Sequence, residues 1–341
     1  MANNRPMLSK ATVIGTGAMG TMSAQVLASN EINVALLGRR EAFVQELLVR
    51  RENQRYTPGI RLADRIYPTH KPELALAGTE LVISAVPCQF LRATWMQLAK
   101  LLPPDVPVCS VTKGIEIQSL QRPSEVLASI LPSNPLAVLS GPSISMEVAR
   151  CLPATVVVAS ANEEVARLVQ GAMSTSWFRI YTNTDVIGVE LSGALKNTIA
   201  LAAGILDGLH AGNNAKAALL TRGLAEMSRL GAAMGANPNT LAGLAGVGDL
   251  VTTCFSPLGR NRSAGERIGL GVSVEEVVAD TKGVIEGIPT TQAVLQLARK
   301  HGVDMPITQA VYEVLFERKP PLVAVTELMN RPLRSEAPVG N

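Results

Sequence analysis

The feature that most constrains this chain is a hexapeptide, Gly15-Thr16-Gly17-Ala18-Met19-Gly20, between an apolar β-branched run at 11–14 and a helix-forming stretch at 18–29. Glycines at this spacing suit a strand that turns abruptly into a helix. Gly15 permits the tight turn, Gly17 lets the backbone approach an anion, and Gly20 lets the helix pack on the strand. The opening of the helix then offers unpaired N–H groups to a phosphate. The loop residues Gly15, Thr16, Gly17, Ala18, Met19 and Gly20 are therefore read as a pyrophosphate cradle. Glycines serving only strand–helix packing are the competing reading; a second β-type run at 33–37 favours the cradle.

The first half continues the alternation. Apolar runs at 81–86, 106–111, 137–139, 155–159 and 178–181 are spaced by helical stretches such as 41–50. Strands alternating with helices predict βαβ units and a mostly parallel sheet. Near residue 185 the character changes to an Ala- and Leu-rich helical stretch reaching about 228, with further helical segments at 274–279, 291–301 and 307–316. The expected architecture is an α/β Rossmann-type dinucleotide-binding domain over 1–184 and an all-α substrate domain over 185–330. A polar tail at 331–341 is expected to be poorly ordered. A length of 341 residues with 47% hydrophobic and 17% charged residues supplies two cores and leaves little for disorder.

Other classes find little support. The net charge is only +3, and no Lys/Arg stripe is interleaved with aromatics, so no nucleic acid partner is expected. Cys88, Cys109, Cys151 and Cys254 are scattered without a CxxC pair, which argues against a metal and for reduced thiols in the cytoplasm. The N-terminus lacks a signal-peptide core, and the richest apolar run, 199–206, is too short to cross a bilayer, so no membrane span is expected. The apolar helical half suggests a homodimer.

Four further sites carry chemistry. Gly38-Arg39-Arg40 ends the second strand, where an acidic residue would read ribose hydroxyls and Arg a 2′-phosphate. This favours NADPH, with NADH retained through Glu41; a solvated basic surface is the alternative. Lys196 lies in a helix apolar on nearly every face, so it either has a carboxylate partner and a function or snorkels to the surface. Asp249, in Gly246-Val-Gly-Asp, is either a functional acid or a helix N-cap. Gly259-Arg260-Asn261-Arg262 offers guanidinium groups to a phosphate or is a solvated loop.

Long motifs in order now carry a resemblance: NQRYTPG at 53–59, VTKGIE at 111–116, GPSISMEVA at 141–149, ELSGALKN at 190–197, NAKAALLTRGLAEM at 214–227, GLAGVGDLVTTC at 243–254, RNR at 260–262 and VIEG at 284–287. With GTGAMG, they make the chain similar along nearly its whole length to bacterial-type NAD(P)-dependent glycerol-3-phosphate dehydrogenases. The resemblance implies reversible NAD(P)H-dependent reduction of dihydroxyacetone phosphate, the step that supplies the glycerophospholipid precursor. It implies that Lys196 is the proton donor and acceptor, that Lys113 touches substrate and cofactor, and that Asp249, Asn197 and Thr253 belong to the substrate pocket. Arg260 and Asn261 match phosphate ligands, with Arg260 also near the cofactor. Gly141 and Ser143 match substrate contacts, and Ser145 a cofactor contact. Thr16, Arg39, Arg40, Tyr56, Val284 and Glu286 match cofactor positions. Gly259 departs from the serine of many relatives, so its phosphate hydrogen bond is lost or supplied by a backbone N–H. Two other readings are weighed: a 3-hydroxyacid dehydrogenase, which Arg260 and Asn261 disfavour, and a nicotinamide sensor without turnover, which leaves Lys196, Lys113 and Asp249 without purpose.

Overall fold

The computed structural model describes residues 8–333, 335 and 336. Among these, eight strands assemble into one sheet: Lys10–Ile14 (β1), Asn33–Leu37 (β2), Ile66–Thr69 (β3), Leu81–Ser84 (β4), Val108–Ser110 (β5), Leu136–Ser140 (β6), Ala154–Ala159 (β7) and Phe178–Asn183 (β8). Their order is β3-β2-β1-β4-β5-β6-β7-β8, and every neighbouring pair is parallel except β6–β7. Helices cover a parallel sheet on both faces, which is why β1, β2 and β4 read as unbroken apolar runs rather than alternating ones.

The mostly parallel sheet agrees with expectation, and the differences are local. Strand β3 was not anticipated, because Ile-Tyr-Pro-Thr is short and contains Pro68. It lies at the sheet edge, where a missing backbone donor is tolerated. The runs at 81–86 and 106–111 overshoot β4 and β5: Val86 and Val111 are buried beyond the strand ends, so apolarity there reflects burial and not pairing.

The chain order reverses at β1, which has β2 on one side and β4 on the other, and this places a crevice at the carboxyl ends of β1 and β4. Gly15 turns there with φ +111°, and a Cβ on it would lie 2.7 Å from the Ala85 carbonyl oxygen. A Cβ on Gly20 would lie 1.9 Å from the Gly15 carbonyl oxygen. Both glycines are thus demanded by backbone contacts.

The chain after Asn183 is helical. Its centre is the long helix Val186–Gly208, wrapped by helices Gly212–Ala233, Asp249–Phe255, Arg260–Gly269, Gly287–Lys300 and Pro306–Phe316. By length and composition this is the one helix among the described residues that could cross a membrane, which the short run at 199–206 did not disclose. Its neighbours bury 89% of the apolar window, so its composition is that of a core helix. Helix Arg260–Gly269 crosses it at glycines: a Cβ on Gly204 would lie 1.9 Å from the Arg262 carbonyl oxygen, and one on Gly265 2.0 Å from that of Leu201. Residues 260–262, expected to be a phosphate-binding segment or a solvated loop, form the first turn of this helix. Of the tail expected at 331–341, residues 334 and 337–341 lie outside the described residues, as do 1–7 at the N-terminus.

Candidate active site

Two lysines meet one carboxylate at the seam between sheet and helices. Asp249 is 2% exposed, and its Oδ1 accepts from Lys196 Nζ at 2.6 Å while its Oδ2 accepts from Lys113 Nζ at 2.5 Å. Lys113 lies in the loop after β5, Lys196 midway along Val186–Gly208, and Asp249 at the start of Asp249–Phe255. Thr253, one turn after Asp249, accepts from Lys196 Nζ through its hydroxyl. Lys196 is 5% exposed and does not snorkel, and Glu190 on the same helix is committed elsewhere, to Arg122 at 2.7 Å.

Local geometry explains Asp249. The residue before it, Gly248, holds the N-cap position, so Asp249 is not a cap and its carboxylate is free to turn inward. The preceding residues, Leu244–Gly248, form a π-helical turn in which a Cβ on Gly246 would lie 1.8 Å from the Leu241 carbonyl oxygen. The glycines of this motif thus shape a wide turn of a kind found at functional sites.

The electrostatics follow from burial and pairing. Burial lowers the Lys196 pKa to about 8, with Asp249 pulling it up and Lys113 pushing it down. Burial works against the Asp249 carboxylate, but the two ammonium groups hold its pKa below the usual value. Lys196 therefore titrates near 8 beside a carboxylate that its two cations hold in the charged form.

The predicted phosphate residues form a second cluster. Asn261 is buried; its Nδ2 donates to Asn197 Oδ1 at 2.9 Å and its Oδ1 accepts from Gly287 N at 2.9 Å. One Asn261 N–H remains for a ligand. Arg260 is exposed and lies over the Gly283 backbone, where a Cβ would come within 2.6 Å of its Nη1 and 3.8 Å of Tyr56 Cε1. Gly283, at φ +106°, thus brings Arg260 and Tyr56 together across the crevice. Gly259 is the N-cap of Arg260–Gly269 and offers no side-chain cap; its own N–H donates to Ser256 O at 3.1 Å. A replacement hydrogen bond therefore has to come from the helix's first N–H groups. Arg262 is not available to a phosphate, because its Nε donates to Asp207 at 2.7 Å.

The remaining predicted residues line the crevice from the sheet side. Gly141, at φ +130°, presents its carbonyl to Lys113 Nζ at 3.3 Å and to the Ser143 hydroxyl at 3.0 Å. Ser145 opens the short helix Ser145–Ala149, which packs on helix Ala18–Ser29. Arg39 and Arg40 are exposed beyond β2, with Arg40 5.5 Å from the Phe43 ring and Phe43 edge-on to Tyr56. Glu41 turns toward His70, at 3.5 Å, and stays exposed.

A dinucleotide fits this crevice. Among the described residues nothing lies within 4 Å of a Cβ placed on Gly17, and helix Ala18–Ser29 has no side-chain cap, so an anion could take the cap's place at its first N–H groups. Glu286, two residues after Val284, accepts from Cys88 N at 3.2 Å through Oε1, while its buried Oε2 has no partner among the described residues; burial raises its pKa to about 7. An orphaned acceptor of this kind calls for a donor from a bound group. Asn53, in the NQRYTPG motif, carries a role that its sequence context alone did not signal. It is fully buried, donates to Thr16 O at 3.0 Å and Thr21 Oγ1 at 2.7 Å, and accepts from Tyr56 N, tying Tyr56 to the glycine loop.

Known proteins resemble this arrangement closely. Models described as the N-terminus and the C-terminus of NAD-dependent glycerol-3-phosphate dehydrogenase match residues 10–166 and 185–326. A Streptomyces griseus protein named NAD(P)+ glycerol-3-phosphate dehydrogenase is 47% identical over 96% of this chain and 98% of its own. One of the same name from Chlorobium phaeobacteroides is 48% identical over 96% of this chain and 99% of its own. The crystal structure of glycerol-3-phosphate dehydrogenase from Coxiella burnetii superimposes with a TM-score of 0.93 at 37% identity, covering 96% of this chain and 100% of that one.

Replacing Asp249 by Asn should leave two cations crowded in a buried site with no charge to bridge them. Removal of one partner from a buried pair typically costs about 3–5 kcal/mol. Chemical denaturation at pH 7 should show a loss of that order, and an unchanged midpoint would show that the bridge is not a structural element.

Proposed function

The chain belongs to the NAD-dependent glycerol-3-phosphate dehydrogenase family, and from that premise we propose a division of labour in which Lys196 exchanges the proton, Lys113 polarises the ketone, and Arg260 and Asn261 hold the phosphate. The reaction is the NAD(P)H-dependent, reversible reduction of dihydroxyacetone phosphate to sn-glycerol 3-phosphate, the glycerophospholipid precursor. The observation that carries the assignment of roles is the single buried carboxylate bridging two lysines from different parts of the chain.

In the reducing direction the ketone oxygen gains negative charge and must take up a proton. Lys196, with its pKa near 8, gives up that proton readily, and a positioned acid of this kind contributes roughly 10²–10⁴-fold. The Lys113 ammonium, held by Asp249 and Gly141, stabilises the same developing charge without having to reorganise. Asp249 orients both amines and restores charge balance after Lys196 has given up its proton. Arg260 and the spare N–H of Asn261 grip the phosphate remote from the reacting carbon, and this positions the ketone. When bound, the nicotinamide cofactor supplies the hydride. The residues that would hold it are the loop from Gly15 to Gly20, Arg39, Arg40, Tyr56, Lys113, Ser145, Arg260, Val284 and Glu286.

NADPH is favoured over NADH because Arg39 and Arg40 extend past β2, while Glu41 is turned to His70. The polypeptide divides at 184/185 into a dinucleotide-binding and a helical substrate domain, with 331–341 as a tail, and works in the cytoplasm as a homodimer. Four free thiols support the compartment, and exposed Phe316, Leu322, Val323 and Met329 on the last two helices support the dimer.

Lys196→Met should lose at least about a hundredfold in kcat while keeping NADPH affinity, read by cofactor fluorescence titration; near-normal turnover would remove Lys196 from proton transfer. The sign of the pH dependence differs by direction. Reduction needs the ammonium form, so its kcat should fall as pH rises through about 8; oxidation needs the neutral amine and should rise over the same range. Arg39→Ala and Arg40→Ala should raise the KM for NADPH and leave that for NADH nearly unchanged, and equal effects on both cofactors would exclude a 2′-phosphate role. Sedimentation velocity at micromolar concentration should show one species of twice the chain mass; a monomer would rule out the dimer.

A further inference from the structure

We propose that Asp207 is a positioning residue for the substrate phosphate, acting through Arg262 to hold the helix that carries Arg260 and Asn261. The inference rests on the reading that those two residues grip the phosphate, and goes beyond it by naming what fixes them.

Helix Arg260–Gly269 crosses Val186–Gly208 with almost no side chain between the backbones. A Cβ on Gly204, Gly208, Gly265 or Gly269 would fall within 2.4 Å of a carbonyl oxygen of the opposing helix. So close an approach gives extensive contact but few interdigitating side chains, and interdigitation is what usually sets the register of two packed helices. A smooth crossing needs other pins. Two adjacent residues of the crossing helix supply them. Asn261 reaches Asn197 at 2.9 Å, and Arg262 Nε reaches Asp207 Oδ2 at 2.7 Å. Asn197 and Asp207 are ten residues apart on one helix, about 15 Å along its axis. Contacts from two adjacent residues to the middle and to the C-terminal end of Val186–Gly208 resist both sliding and rotation of helix Arg260–Gly269 against it.

Asp207 is itself held. Lys216 Nζ, from helix Gly212–Ala233, donates to Asp207 Oδ1 at 2.9 Å and Oδ2 at 2.8 Å, and lies 4.8 Å from the Phe255 ring at the end of the helix that begins with Asp249. Arg262 also pairs with Glu266 at 3.1 Å, so the cluster of Asp207, Lys216, Arg262 and Glu266 is neutral. The Lys216 and Arg262 side chains are 8% and 14% exposed, which makes these pairs less screened than surface ones. None of the four touches the Lys196–Asp249–Lys113 bridge, so the cluster acts on where the phosphate sits and not on proton transfer.

The test compares Asp207→Asn, Asp207→Glu and Asn261→Ala with the parent enzyme, measuring kcat, the KM for dihydroxyacetone phosphate, the Kd for NADPH and competitive inhibition by inorganic phosphate. Asp207→Asn should raise the ketone KM about tenfold, the scale of one impaired charge-assisted hydrogen bond. It should weaken phosphate inhibition in parallel, change kcat less than about twofold and weaken NADPH binding much less than ketone binding, because of the two phosphate residues only Arg260 also faces the cofactor; Asp207→Glu should recover most of the KM. If Asn261→Ala raises the KM and Asp207→Asn does not, the positioning role is overturned while the phosphate reading stands. If neither raises it, the phosphate reading itself falls. A loss of NADPH affinity in Asp207→Asn equal to its loss of ketone affinity would show only general damage and would also overturn the proposal.

Discussion

The arrangement of this active site depends on the cost of burying charge. Asp249 is removed from water, and a carboxylate in that position is tolerable only if cations meet both of its oxygens. Lys113 and Lys196 do so, and because they come from the sheet half and the helical half, the same pairing closes the seam between the two. A stabilising contact and a reactive one are thereby the same contact. Burial destabilises the Lys196 ammonium enough to bring it near neutrality, while Asp249 keeps it from becoming an ordinary neutral amine.

Glycine does the complementary work of bringing backbone close to backbone. At the crevice Gly15 and Gly20 let β1, its following helix and the Ala85 segment approach within distances no side chain permits, and Gly17 leaves open space above them. In the helical half Gly204, Gly208, Gly265 and Gly269 let one helix lie against the central one, and Gly246 shapes the turn that delivers Asp249. Close contact of this kind is strong but poorly keyed, which is why polar pins such as Asn197–Asn261 and Asp207–Arg262 accompany it.

Much of this was legible in the order of the residues. Helices 18–29 and 41–50 and strand β2 at 33–37 stood at their observed bounds, because each is a short helix-forming or apolar segment between clear breakers. Strand β3 was missed, since an edge strand containing Pro68 carries little pattern. Residues 260–262 read as a phosphate-binding or solvated basic segment and not as the start of helix Arg260–Gly269, since a polar first turn masks a glycine face that matters only against another helix. The helical stretch at 185–228 is in fact two helices, Val186–Gly208 and Gly212–Ala233, and the apolar run at 199–206 understated the first because Glu190, Lys196 and Asn197 interrupt its hydropathy, yet all three are buried on specific partners.

By itself, the sequence determined the glycine loop, the parallel sheet and the set of polar residues too costly to bury unpaired. Those follow from local sterics and from the price of desolvation, which act on neighbours along the chain. Only the tertiary structure decided which charge answers which. Lys113 and Asp249 are 136 residues apart and Lys196 and Asp249 are 53, and separations of that kind leave no periodic signal. It also decided that Glu190 belongs to Arg122 and Arg262 to Asp207, pairings that withdraw both from the chemistry. Charge pairing depends on distance in space, and folding sets that distance.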